Sequence, residues 1–188
     1  MMQNVEKLAG LFEAMVANYQ TLGNVWKNIA LSKQAFRLMK SLPPILKGEF
    51  DTPQDKAALL LQMLEYTDET STPRFCIEVR AYITQLDPDD EDNLAELGRL
   101  NDFIDSSLTM EEYTAKYKKH LKFDPVERSP KWEEVIYRVE KECDEILKDE
   151  PRGMGFCFRY WAVKGNVLAK YGIDWRSPSE MNPKVLFD

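Results

Sequence analysis

The chain has 188 residues, long enough for one domain with a sizeable core. Its 44% hydrophobic and 30% charged residues are the balance of a soluble globular protein, not of a disordered or fibrous one. The net charge of −7 makes the surface as a whole repel nucleic-acid phosphate and anionic lipid.

The longest uncharged stretch, Ala14 to Trp26, is too short and too polar for a membrane span, so no membrane association is expected. The N-terminus has no basic patch before an apolar run, so no signal peptide is expected and the default location is cytoplasmic. Charge is uneven along the chain. Residues 1–48 carry six basic and two acidic groups, residues 87–106 sum to −7, and residues 151–188 sum to +3. Three widely spaced cysteines, Cys76, Cys143 and Cys157, fit neither a disulfide framework nor a zinc knuckle and read as small buried hydrophobes.

Every long segment has a period near 3.6, which predicts helices throughout. Val5, Leu8, Phe12, Met15, Val16 and Tyr19 form the first stripe. Leu22, Val25, Trp26 and Ile29 continue it, then Phe36, Met39 and Leu42. Gly23 is a candidate break, and Pro43-Pro44 is a firm stop. Four later starts pair a capping side chain with a following proline: Thr52-Pro53, Thr72-Pro73, Asp87-Pro88 and Ser129-Pro130. Thr109 to Glu112 matches a capping box.

The helix bodies agree with these starts. Ala57, Leu60, Leu61 and Leu64 share a face, as do Phe75, Cys76, Val79, Tyr82, Ile83 and Leu86. Leu94, Leu97, Leu100, Ile104 and Leu108 line a third helix. Trp132, Val135, Ile136, Val139, Cys143, Ile146 and Leu147 make the cleanest stripe, opposite a charged face. Short connections between these segments imply packed neighbours.

The last forty residues concentrate the aromatic side chains. Near 154–171 a helix is apolar around most of its circumference, with Arg159, Asn166 and Lys170 as a narrow polar stripe. Lys164 points among Cys157, Tyr160, Trp161, Val167, Leu168 and Tyr171. Such a lysine can snorkel to the rim, pair with a carboxylate, or serve a ligand. Gly153 and Gly155 let the chain turn into this helix. The tail beyond Ile173 is punctuated by Pro178 and Pro183, yet Trp175, Met181, Val185, Leu186 and Phe187 are too apolar to leave in water. It either closes the core or docks on another chain.

The sequence therefore predicts an all-α fold: a single compact bundle of seven or eight helices over 1–188, around a mostly buried C-terminal helix, with an extended tail over 173–188. The acidic run Asp87 to Asp92 has calcium-loop composition only, since its sixth position is Asp92 and its twelfth Gly98, where the calcium loop needs Gly and Glu. His120, the only histidine, has no metal-pair partner at helical spacing. No phosphate-binding glycine loop is present.

No metal and no cofactor are expected, and the leading functional reading is a non-enzymatic interaction or regulatory protein. Its interaction residues would be Trp175, Val185, Leu186 and Phe187 in the tail, toward a protein partner or in a homodimer. The alternative is a small-ligand binder or enzyme with a pocket around Tyr160, Trp161, Lys164 and Tyr171. A weaker alternative is nucleic-acid binding through Lys116 to Lys122 with Tyr113 and Tyr117. In manner the chain resembles small helical proteins of bacteria, a likeness that transfers no residue role.

Overall fold

The structure, a computed structural model, describes residues 2–187; Asp188, at the end of the expected tail, lies outside them. The described residues are helical with no strand, as the periodicity predicts. They form two compact units, one ending at Asn101 and the other beginning at Asp102.

The first unit contains α1 (Met2–Gln20), α2 (Asn28–Ser41), α3 (Pro53–Glu65) and α4 (Pro73–Leu86), and most of α5 (Glu91–Ile104). Gly23, at φ 80°, separates α1 from a short 3-10 turn and α2, as its position in the stripe predicts. Thr52 supplies the cap expected before Pro53, and it does so in a capping box, exchanging hydrogen bonds with Asp55. Thr72 precedes α4 without capping it: its hydroxyl donates instead to the Asp68 carbonyl at 3.1 Å. Pairs α1–α2 and α3–α4 pack against each other. The core between them is built from Met15, Phe36, Met39, Leu60, Met63, Cys76, Val79 and Ile83, all buried.

The Asp87-Pro88 start is corrected. The helix begins at Glu91, where Asp90 accepts from the Asn93 amide at 2.9 Å and supplies the cap. The stripe that follows is corrected too: Leu94 is exposed, and Asn93 is buried. Asn93 takes that place because its amide donates to the Arg80 carbonyl at 3.2 Å and to the Thr84 hydroxyl at 3.0 Å.

The second unit contains α6 (Met110–Lys116), α7 (Pro130–Leu147), α8 (Phe156–Lys170) and the single turn α9 (Pro178–Met181). Thr109 and Ser129 cap α6 and α7 as expected, and Gly155, at φ 77°, turns the chain into α8. Helices α7 and α8 pack together. Trp132, Ile136, Val139, Cys143, Leu147, Val163, Val167 and Leu168 are buried.

Two expectations fail here. In α8 only Val163, Val167 and Leu168 are buried, so it is not a mostly buried central helix. A unit this small lacks the neighbours to cover every side of an apolar helix, and Phe158 and Met154 stay exposed. On α7, Ile146 is exposed, while Glu140 is buried in its stripe. The reason for that buried carboxylate is Lys164.

Candidate functional site

Tyr160 and Lys164 are four residues apart on α8, so they share a face. Glu140 on α7 meets both. Its Oε1 lies 2.7 Å from the Lys164 ammonium, and its Oε2 accepts from the Tyr160 hydroxyl. Both charged side chains are nearly out of solvent, at 12% exposure for Lys164 and 9% for Glu140. Of the three roles open to this lysine, the structure has the carboxylate pair.

Aromatic rings complete the enclosure. The ammonium lies 5.1 Å from the ring centroid of Trp132, 5.5 Å from Trp175 and 5.6 Å from Tyr160. Ring quadrupoles present negative faces, so these contacts stabilise a cation taken from water. Trp132 and Trp175 contact each other at 6.2 Å between centroids. The indole N–H of Trp132 meets no acceptor among the described residues. That of Trp175 donates to Glu127 at 2.7 Å.

The electrostatics follow from this burial. Burial raises the Glu127 carboxyl above its ordinary value, against the opposing pull of the Trp175 hydrogen bond and the Lys164 charge. Burial, then the nearby Glu140 charge, pushes the Cys143 thiol up to about 12, so it stays protonated at neutral pH. The cluster holds α7, α8 and the chain near Trp175 together. Both oxygens of Glu140 are taken, one by the Lys164 ammonium and one by the Tyr160 hydroxyl.

Tyr171 does not join this group. Its hydroxyl donates to Glu142 at 2.6 Å, and that carboxylate also takes Lys170 at 3.1 Å. Trp161 turns another way and lines a cleft of about 370 Å³ with Phe158, Ala162, Gly165, Trp175 and Glu180 among others. The four residues expected around one pocket are thus split three ways.

The tail residues are divided as well. Trp175 is packed on Trp132, and Phe187 meets Trp161 edge-on at 5.1 Å. Val185 and Leu186 are exposed. Between them the chain is tied to residues 122–128. Arg176 donates its amide to Asp124 at 2.8 Å, and the Asn182 side chain takes both the N–H and the C=O of Lys122 at 2.9 and 2.8 Å.

In the basic run, Lys116 pairs with Asp102, and Lys122 with Glu111 at 3.1 Å. His120 is exposed. Asp102 also accepts from the Tyr117 hydroxyl, and these hydrogen bonds, Lys116 first, hold its carboxyl below the ordinary range.

The first unit holds a feature that periodicity did not single out. Lys56 is completely buried on α3. Its ammonium donates to the Leu42 carbonyl at 2.8 Å, to the Tyr82 hydroxyl at 3.1 Å and to the Pro43 carbonyl at 3.4 Å. Leu42 and Pro43 follow α2, where carbonyls lack intrahelical partners and the helix end is negative. The only advance signal was the position of Lys56 beside Ala57 and Leu60 on the buried side of a strongly predicted helix.

The same unit carries an apolar groove of about 580 Å³ along α1. Val5, Leu8, Phe12, Val16 and Leu59 form its walls, Ala9 lies exposed within it, and Glu13 and Glu49 are its charged residues. Among the described residues no lysine or arginine lines it.

Among the described residues no group of three or more His, Cys, Asp or Glu side chains could hold a metal ion. No helix among them is long and apolar enough to cross a membrane. Comparison with protein-family models, with curated proteins and with solved structures finds no match to this chain.

Proposed function

We propose that the protein is a non-enzymatic interaction module whose first unit receives an amphipathic helix of a partner, with basic residues flanking that helix's apolar face. The observation that carries this reading is the groove along α1: apolar walls at helical spacing, two carboxylates and no lysine or arginine among the described residues that line it. A helix laid in such a groove buries apolar area against Phe12, Val16 and Leu59, and its basic flank meets Glu13 and Glu49. Charge of the opposite sign sets the partner's orientation and speeds its capture. The tail supports an intramolecular role rather than a docking arm, since Trp175, Arg176 and Asn182 spend their hydrogen bonds on residues 122–128. The thiols of Cys76, Cys143 and Cys157 fit a reducing, cytoplasmic setting.

The test uses two designed helices with the same leucine face, one flanked by lysine and one by glutamate. The lysine helix should bind with a Kd on the order of 1 μM, a free energy of about −8 kcal/mol. The glutamate helix should bind at least about tenfold more weakly. Ala9→Arg fills the groove from an exposed position and should abolish binding while leaving the melting curve unchanged. Equal binding of the two helices, or undiminished binding to Ala9→Arg, overturns the proposal.

A further inference from the structure

The second unit uses aromatic rings and a carboxylate to hold a cation inside itself: Trp132, Tyr160 and Trp175 surround the Lys164 ammonium, and Glu140 neutralises it. The open cleft next to Trp175 has the same composition. Phe158 and Trp161 meet edge to face, at 83° with centroids 5.5 Å apart, and both line it, while Phe187 also meets Trp161 edge-on at 5.1 Å. Trp175 lines it as well, and among the described residues that line it the one charged side chain is Glu180. Two rings at right angles present two walls to one guest, the arrangement that suits a cation whose charge is spread over alkyl groups.

The surrounding charges permit such a guest. Lys164, which already lies over Trp175, is neutralised by Glu140 at 2.7 Å. Arg176 is held by Asp124 at 3.3 Å. The Ser177 cap uses only Oε2 of Glu180, which leaves Oε1 available. Hydrogen bonds from Ser177 also lower the Glu180 carboxyl from its ordinary value, so it is ionised at neutral pH. Asn166 and Ser179 add polar groups at the edge of the cleft, and about 370 Å³ leaves room for more than the cation alone.

We propose that this cleft binds a small alkylated ammonium group, with Phe158 and Trp161 as its walls and Glu180 as its counter-charge. The inference is independent of the groove on α1. The group can belong to a free quaternary amine or to a methylated lysine side chain, and the chemistry that recognises it is the same.

The test titrates the full chain with choline chloride, read by tryptophan fluorescence and calorimetry. Its uncharged isostere, 3,3-dimethylbutan-1-ol, is the control. Choline should bind at least about tenfold more tightly than the alcohol, because only the cation gains from the rings and the carboxylate. Trp161→Ala and Phe158→Ala should each weaken choline binding by about tenfold, and Trp161→Phe by much less. Glu180→Gln keeps a residue that can complete the capping box, so its loss of affinity reports charge rather than folding. Phe158 is 46% exposed, so its truncation serves if Trp161→Ala fails to fold. A trimethyllysine peptide that binds more tightly than choline identifies the side-chain source, and one that binds no better identifies the free amine. Equal binding of choline and the alcohol, or unchanged affinity in the Phe158→Ala and Glu180→Gln variants, overturns the proposal.

Discussion

The Lys164–Glu140 pair offers the sharpest test of how the second unit is held together. Glu140→Leu removes the carboxylate and leaves an ammonium at 12% exposure among ring faces, without its 2.7 Å counter-ion. Removing one partner of a buried pair costs about 3–5 kcal/mol, because the charge left behind has lost both water and counter-ion. Lys164→Met leaves Glu140 with the Tyr160 hydroxyl alone and should cost a similar amount.

The double variant should be far less damaged than the sum of the two. It buries leucine and methionine where two charges stood, an exchange that is often about neutral or even stabilising by 1–4 kcal/mol. Urea unfolding followed by circular dichroism reads this directly. With a slope of about 2 kcal/mol/M, each single change lowers the midpoint by about 1.5–2.5 M, and the double change recovers most of the loss. The cycle gives the coupling energy. Additive losses in the double variant, or a loss under about 1 kcal/mol in Glu140→Leu, would refute the claim that this pair organises α7 against α8.

Lys56→Met should destabilise the first unit by about 1–3 kcal/mol, since it leaves the Leu42 carbonyl buried without its 2.8 Å donor; thermal unfolding of the variant checks this. Thiol titration of the native chain at pH 8 should show Cys157 reacting first. Cys143, buried and pushed up to about 12, should react only on unfolding, as should the buried Cys76. Glu127→Gln should change the pH profile of stability. A carboxyl raised in the folded state disfavours folding once pH exceeds its unfolded value, so wild type gains stability relative to the variant as pH falls from 7 toward 4.5. A pH-independent difference between the two would contradict the assignment. Asn182→Ala removes the side chain that bridges the N–H and C=O of Lys122 and should speed proteolysis of the tail; unchanged cleavage would show that these bonds do not fasten it.

Much of the helical plan was legible locally because its signals act over three or four residues. The caps at Thr52, Thr109 and Ser129 and the break at Gly23 each need only their own neighbours. Where a local signal failed, a competing contact had won, within the turn or from a neighbouring helix. Asp87-Pro88 lost the helix start to Asp90, and Leu94 lost its buried place to Asn93, which is bonded to Arg80 and Thr84 on α4. Ile146 stayed in water while Glu140 went inside.

By itself, then, the sequence determined the helical class, most helix ends and the oddity of Lys164, since periodicity and capping are properties of adjacent turns. It could not choose which carboxylate would meet that lysine. That pairing joins positions 140 and 164, and it depends on how α7 packs on α8. Nor could it show that Lys56 would lie among the Leu42 and Pro43 carbonyls, or that Trp161 would leave Lys164 for an open cleft. Those outcomes were decided by tertiary structure. A buried charge goes wherever packing brings it an opposite charge or a set of oxygens, and no helical period encodes that meeting.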